Sequence, residues 1–142
     1  MKKYFVFFIL IIFFIGCDAD PTSSGTDESE LPVVIKNLAG KWNWIQSVDS
    51  TGQVVDEPTL NNTMSIEITQ DYTFRQYRND TLFFYDKFNL LKTALSNKTD
   101  TVTVLDWNTS KYFNYVIYSL KAKSLIIGIT ISNIKSKYSR IN

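Results

Sequence analysis

The chain has 142 residues, with 15 lysines and arginines against 14 aspartates and glutamates, one cysteine and no histidine. Without histidine, Ser-His-Asp and Cys-His catalytic arrangements are impossible, and the commonest transition-metal ligand is missing. The five glycines are scattered and form no phosphate-binding loop, so the composition favours a non-enzymatic protein without a metal or cofactor.

The first seventeen residues have the layout of an export signal. Two lysines precede an apolar run of twelve residues, from Tyr4 to Ile15, which is followed by Gly16 and Cys17. This order is typical of a secretory signal peptide, and the run is shorter than the roughly 20 residues that a membrane-spanning helix needs. The Gly-Cys pair resembles the lipobox of bacterial lipoproteins. The resemblance implies a signal peptide over residues 1–16, a lipid on Cys17, and anchoring to the outer membrane of the cell envelope in either leaflet.

The following segment is predicted to be a disordered tether. Residues 18–30 contain five acidic residues and no basic or aromatic one. Such a segment cannot bury enough apolar surface to offset its ordering entropy, so residues 17–35 are predicted to be a lipidated, unfolded terminus. Acidic residues after the cysteine resemble the surface-export signal of some Bacteroidetes lipoproteins, and a plain spacer is the alternative.

Residues 36–142 are predicted to form one all-β domain. Apolar and polar residues alternate with a period of two in short runs rich in Thr, Val, Ile, Tyr and Phe, as in β-strands. The runs cover 41–48, 64–69, 73–78, 81–88, 101–107, 112–120, 124–131 and 135–141. About eight such strands predict an antiparallel up-and-down barrel, because closure removes unpaired edges, and a β-sandwich is the alternative. The segment 90–96 is predicted to be a weak helix or a loop.

Two short motifs lie at the ends of this domain. Gly40-Lys41-Trp42 opens the first strand, and Arg140 lies in the last. Together they resemble the lipocalin superfamily, and the chain is similar to the lipocalin-like lipoproteins common in Bacteroidetes. The resemblance implies structural roles for Gly40, Trp42 and Arg140, with the tryptophan at the closed end of the barrel and the arginine across its ring.

The alternation also predicts which side chains face the barrel interior. Trp44 shares the face of Trp42, and the other predicted inward residues are Gln46, Phe74, Tyr115, Ile117, Ile127 and Ile129. An eight-stranded barrel is either filled by side chains or holds one small ligand, and the sequence leaves both open. Trp44, Gln46, Phe74, Tyr115, Ile117 and Ile127 are therefore candidate contacts for a small apolar or amphipathic ligand.

A second hypothesis assigns function to the loops. The two longest predicted connections cover residues 49–62 and 90–100, and either could bind an envelope protein. The protein would then be an inhibitor of an envelope enzyme or a subunit of a surface complex. Nucleic acid is not an expected partner, because residues 31–142 carry 13 basic against 9 acidic residues and the chain is predicted to be exported.

Overall fold

A single antiparallel sheet contains all ten strands of the computed structural model, which describes residues 30–94, 101–107 and 114–141. The sheet curls into an up-and-down half-barrel, which confirms the predicted fold class and is compatible with a lipocalin-like fold. The elements are α1 (Leu31–Leu38), β1 (Gly40–Val48), β2 (Val54–Asp56), β3 (Met64–Ile68), β4 (Thr73–Arg78), β5 (Thr81–Lys87), β6 (Asn89–Ala94), β7 (Thr101–Asp106), β8 (Tyr115–Lys121), β9 (Ser124–Ile129) and β10 (Lys135–Arg140).

The order of the strands explains the curl. The pairing order is β5-β4-β3-β1-β10-β9-β8-β7-β6, and β2 pairs with β1 outside this path. The two end strands, β5 and β6, are consecutive in the chain and joined by Phe88 alone. The Phe88 N–H donates to the Tyr72 carbonyl at 3.0 Å, so Phe88 extends the β4–β5 ladder before the chain continues as β6. One short connection thus links the two ends of the sheet.

The core lies on the concave face of the sheet. It consists of buried residues from α1 and from most strands, and partly buried side chains such as Met64, Tyr115 and Ile117 pack against it. The buried members are Ile35, Leu38, Trp42, Trp44, Ile66, Ile68, Phe74, Phe88, Leu90, Leu105, Trp107, Leu125, Ile127 and Tyr138.

Helix α1 corrects the predicted start of the domain. Residues 31–35 were assigned to the tether, but they lie in α1, where Ile35 and Leu38 are buried and Leu31 and Val34 pack against the core. Pro32 occupies the first turn, where its missing N–H costs nothing, and the apolar residues recur at helical spacing. Residues 17–29, including Cys17, lie outside the described residues.

Strand β6 corrects a second prediction. The segment 90–96 was expected to be a weak helix or a loop, yet residues 89–94 are a strand paired with β7, with Leu90 opposite Leu105. Leucine, lysine and alanine are good helix formers, but helix propensity amounts to less than about 1 kcal/mol per residue, and pairing with a neighbouring strand overrides it. The loop proposed at 90–100 is therefore wrong for residues 90–94, and residues 95–100 lie outside the described residues.

Candidate functional site

Trp42 and Arg140 meet at one end of the half-barrel. The Cζ atom of Arg140 lies 4.1 Å from the centroid of the Trp42 ring, so the predicted contact is present. Trp42 is fully buried, and its Nε1–H donates to the Leu38 carbonyl at 2.9 Å. Arg140 donates to the carbonyls of Ala39 and Ala122, each at 2.8 Å, and to that of Asn37. This cluster fastens the end of α1 to the β8–β9 turn.

Gly40 leaves room for this arginine. Its φ is +144°, and a Cβ atom built on it would lie 2.7 Å from Nη1 of Arg140. Any other residue here would strain the backbone and displace the guanidinium group. The glycine of the Gly-x-Trp motif is therefore explained by the arginine that lies against it.

Four predicted ligand contacts belong to the packed core. Phe74 and Ile127 are buried, and Tyr115 and Ile117 pack against the buried cluster. Phe74 and Tyr115 lie 5.9 Å apart between ring centroids. Partial burial of the Tyr115 phenol raises its pKa above the ordinary value.

Trp107 joins these rings and was not among the predicted contacts. Its ring centroid lies 5.5 Å from that of Phe74 and 5.3 Å from that of Tyr115. Its Nε1 atom is buried without a hydrogen-bond partner among the described residues. Trp107 ends a run that alternates in the sequence, so its inward orientation could have been predicted, but its unpaired N–H could not.

A β-bulge in β1 changes the position of Gln46. Trp44 pairs with Tyr138, but Gln46 pairs with Lys137, so one extra residue stands between the two pairs. Directly paired residues share a face and successive residues alternate, which places Gln46 on the convex face with Lys137, opposite to Tyr138. The predicted inward position of Gln46 is therefore wrong.

Ser47 takes the inward position instead. It pairs with Ser136, and the two hydroxyl oxygens lie 3.0 Å apart. The Trp44 Nε1–H donates to the Ser47 hydroxyl at 3.2 Å. The bulge thus supplies a partner for a buried indole N–H, and it shifts the alternation of inward and outward residues along β1 by one residue.

The same bulge separates β1 from β3. The two strands pair only as far as Asn43 and Ser65, after which β2 replaces β3 beside β1, while Met64 pairs with Arg78 of β4. A groove of about 390 Å³ lies where the strands part. It is lined by Asn43, Trp44, Pro58, Thr63, Met64, Ser65 and Asp80. We call it the Trp44 groove.

Asn79 holds the rim of the Trp44 groove. Its side-chain oxygen accepts from the Thr63 N–H at 2.9 Å, and its side-chain NH₂ donates to the Asn61 carbonyl at 2.9 Å. Asn79 and Asp80 have φ values of 48° and 61°, as the β4–β5 hairpin turn requires. The loop before β3 and the β4–β5 turn are thereby fixed to each other, with Thr63 and Asp80 on the rim.

A second groove continues from the first on the convex face. It has a volume of about 310 Å³ and shares Asn43, Ser65 and Asp80 with the Trp44 groove. Farther along, Glu67 lies 3.2 Å from Nη1 of Arg75 and accepts from the Tyr77 hydroxyl at 3.2 Å. Of the six predicted contacts, Trp44 alone lines either of these two grooves.

Comparison with protein-family models, curated proteins and solved structures gives no match. In the part of the chain that the structure describes, no helix has the length and apolar character to cross a membrane. The same residues contain no cluster of three or more acidic or cysteine side chains that could hold a metal ion.

Proposed function

We propose that the protein is a non-enzymatic envelope protein that binds a small amphipathic ligand in the Trp44 groove. The observation that carries the proposal is the location of Trp44, which was selected from the sequence and lies in a groove within the 300–1,000 Å³ range of small-molecule sites. Phe74, Tyr115, Ile117 and Ile127 lie in or against the packed core and line neither groove, whereas Trp44 belongs to the same core and also lines the groove. A ligand therefore binds at the edge of the half-barrel, with Trp44 as the link to its interior.

The lining of the groove defines the chemistry of the ligand. Trp44 and Met64 offer apolar surface, and the thioether of methionine adapts to irregular shapes. The Trp44 N–H is already bonded to Ser47, so the indole contributes apolar contact alone. The polar lining residues are Asn43, Thr63, Ser65 and Asp80. One carboxylate and no cation among the seven lining residues favour a neutral or cationic polar group on the ligand.

A ligand that is retained during gentle purification provides the test. Native mass spectrometry of the full chain from its natural host should show an extra mass that organic extraction removes, whereas a lipid bonded to Cys17 would remain. Ser65→Phe should fill the groove and abolish the extra mass. Ser119→Phe is the matched control, because Ser119 is also a half-buried strand serine but lies on β8.

Two outcomes would contradict the proposal. A clean apo mass for the unmodified chain would mean that no ligand is held. Retention of the extra mass in Ser65→Phe would mean that the ligand binds elsewhere, with the core rings around Phe74 as the next site to test.

The proposal places the protein in the envelope of a Gram-negative bacterium, as a lipocalin-like lipoprotein of the kind found in Bacteroidetes. The support is the charged and apolar start of the chain with Cys17 directly after Gly16. Two or more lipid chains would hold the protein firmly, since a single chain binds membranes only marginally. Cys17→Ser should move the protein from the membrane fraction to the soluble fraction, and an unchanged distribution would refute the anchor.

A protein partner is the second candidate function. The observation that favours it is Leu60, which is fully exposed in the connection between β1 and β3. Val54 and Val55 of the same connection are 46% and 49% exposed, so the connection as a whole offers a partner several apolar side chains to bury. Cross-linking in intact cells should capture a protein that Leu60→Asp loses, and equal capture by both forms would exclude this loop as the contact.

A further inference from the structure

Strand β5 exposes a continuous run of large apolar side chains. The exposed fractions are 51% for Leu82, 69% for Phe83, 38% for Phe84 and 55% for Tyr85. Single exposed apolar residues are normal on protein surfaces, but these four consecutive residues give β5 a patch that extends over both faces of the sheet edge, with Phe84 on the side of Phe74 and Tyr85 beside Arg75. The ligand-binding proposal makes no use of this patch.

The backbone of β5 also has a free edge. The strand is one end of the sheet, and among the described residues its one paired neighbour is β4. The Phe88 N–H donates to the Tyr72 carbonyl, and in an antiparallel pair every second residue bonds to the neighbouring strand through its backbone. The backbone groups of Asp86 and Phe84 therefore bond to β4. The N–H and C=O groups of Tyr85 and the C=O group of Lys87 therefore point away from β4 and are available to another strand, whereas the Lys87 N–H donates to the Asp86 side chain at 2.8 Å.

Few of the usual protections guard this edge. Proline is absent from β5. The two features of β5 that hinder pairing with another strand are the bulge at Phe83 and the charge of the terminal Lys87. Residues 78–87 carry two basic residues, Arg78 and Lys87, and two acidic ones, Asp80 and Asp86. The segment is thus neutral, and two copies of it would not repel each other.

We propose that β5 is the interface of a homodimer, in which two copies of this chain pair their β5 strands in antiparallel orientation about Phe84. In this register each of the seven residues of β5 lies opposite one of the second copy, since Phe84 is the midpoint of Thr81–Lys87, and the bulge at Phe83 interrupts the regular backbone pairing beside this centre. Phe83 of each copy lies opposite Tyr85 of the other, Leu82 opposite Asp86, and Thr81 opposite Lys87. No two like charges face each other, and the two aromatic cross-strand pairs add stability. A register centred on Tyr85 would pair only five residues and oppose Phe84 to Asp86.

A second copy fits this edge because the strand is complementary to itself. A two-fold interface needs a surface that matches its own reverse, and β5 has aromatic residues on both sides of its centre and an uncharged residue opposite each charge. The resulting sheet would continue from one half-barrel into the next. It would cover the edge of β5 with which no other described strand pairs.

Cysteine cross-linking tests the register directly. The full chain carrying Cys17→Ser, purified in detergent, would receive either Phe84→Cys or Leu82→Cys and be oxidised. In the proposed register the two Cα atoms at position 84 are about 4.5 Å apart, within disulfide range. Those at position 82 are separated by four residues along the strand, about 13 Å, which is too far. We expect a disulfide-linked dimer for Phe84→Cys and none for Leu82→Cys, and the absence of this difference would overturn the register.

Sedimentation of the same Cys17→Ser chain tests the interface without a new cysteine. Phe83→Lys should weaken dimerisation at least tenfold, whereas Ile131→Lys should leave it unchanged, because Ile131 is 74% exposed but lies outside β5. Circular dichroism of both variants checks that they are folded. The proposal would be overturned if the Cys17→Ser chain were monomeric at about 100 µM, or if Phe83→Lys and Ile131→Lys weakened dimerisation equally. Cross-linking of position 84 to a different protein in cells would overturn the choice of a second copy.

Discussion

Two buried tryptophans allow the value of one indole hydrogen bond to be measured. Trp42 and Trp107 are 0% and 3% exposed, and both belong to the core cluster. The Trp42 N–H donates to the Leu38 carbonyl, whereas the Trp107 N–H has no partner among the described residues. Replacing each with phenylalanine removes a similar volume but has opposite consequences for hydrogen bonding.

The two substitutions should therefore differ in free energy of unfolding. The smaller ring costs about 1–2 kcal/mol at either position through lost packing. Trp42→Phe additionally leaves the carbonyl of buried Leu38 without this donor, at about 1–3 kcal/mol, while Trp107→Phe removes a buried donor that has no partner among the described residues, which saves a similar amount. We expect Trp42→Phe to be less stable than Trp107→Phe by at least about 2 kcal/mol, with Trp107→Phe close to the unmodified chain.

Urea unfolding monitored by the remaining tryptophans gives both values, and a thermal scan checks them. For a domain of this size, the expected difference corresponds to about 10–15 °C in Tm. Trp44, the third tryptophan, reports on folding in both variants. If Trp107→Phe is as destabilising as Trp42→Phe, the Trp107 N–H is bonded in solution and the reasoning is refuted.

Three further predictions concern the contact of Arg140 with Trp42 and Gly40, and the buried tyrosines. In a double-mutant cycle, Arg140→Met and Trp42→Leu should show a coupling of about 1 kcal/mol in unfolding free energy, and strict additivity would mean that the ring contact carries no energy. Gly40→Ala should cost about 1–3 kcal/mol in urea unfolding, from the positive φ and the displaced arginine, and a neutral result would contradict that geometry. Burial raises the pKa of Tyr115 and of Tyr138 above the ordinary 10.0, so the free energy of unfolding should keep its full value below pH 10 and fall above it. Tyr138→Phe should lessen this fall. An unchanged slope of unfolding free energy against pH would exclude Tyr138 as its source.

Much of the fold could be predicted from local patterns. The predicted runs at 73–78 and 81–88 match the bounds of β4 and β5 within one residue, because the alternation of apolar and polar residues with a period of two is visible in the sequence itself. The Asn79-Asp80 turn follows from residues that tolerate positive φ. The Gly-x-Trp motif of β1 and Arg140 of β10 were predicted to lie together, and they do so at one end of the half-barrel.

The candidate site could be predicted only in part. Trp44 was selected correctly as a residue beside the groove, but Gln46 was not, because a one-residue bulge reverses every inward position after it. A bulge depends on what the partner strand offers, here Ser136 and Tyr138 of β10, which lie about ninety residues further along the chain. The groove exists because β1 leaves β3 at this bulge, and no local pattern in either strand encodes that separation.

The sequence by itself determined that this is an all-β antiparallel chain with a core of aromatic and branched residues, because strand propensity and alternation are local properties. The tertiary structure alone decided that residues 31–38 pack as a helix, that residues 89–94 pair as β6, and that β5 ends the sheet with its apolar residues exposed. These outcomes depend on which segments meet across the fold. Burial and pairing energies between distant segments exceed the small differences in local propensity, so they could be read only from the assembled sheet.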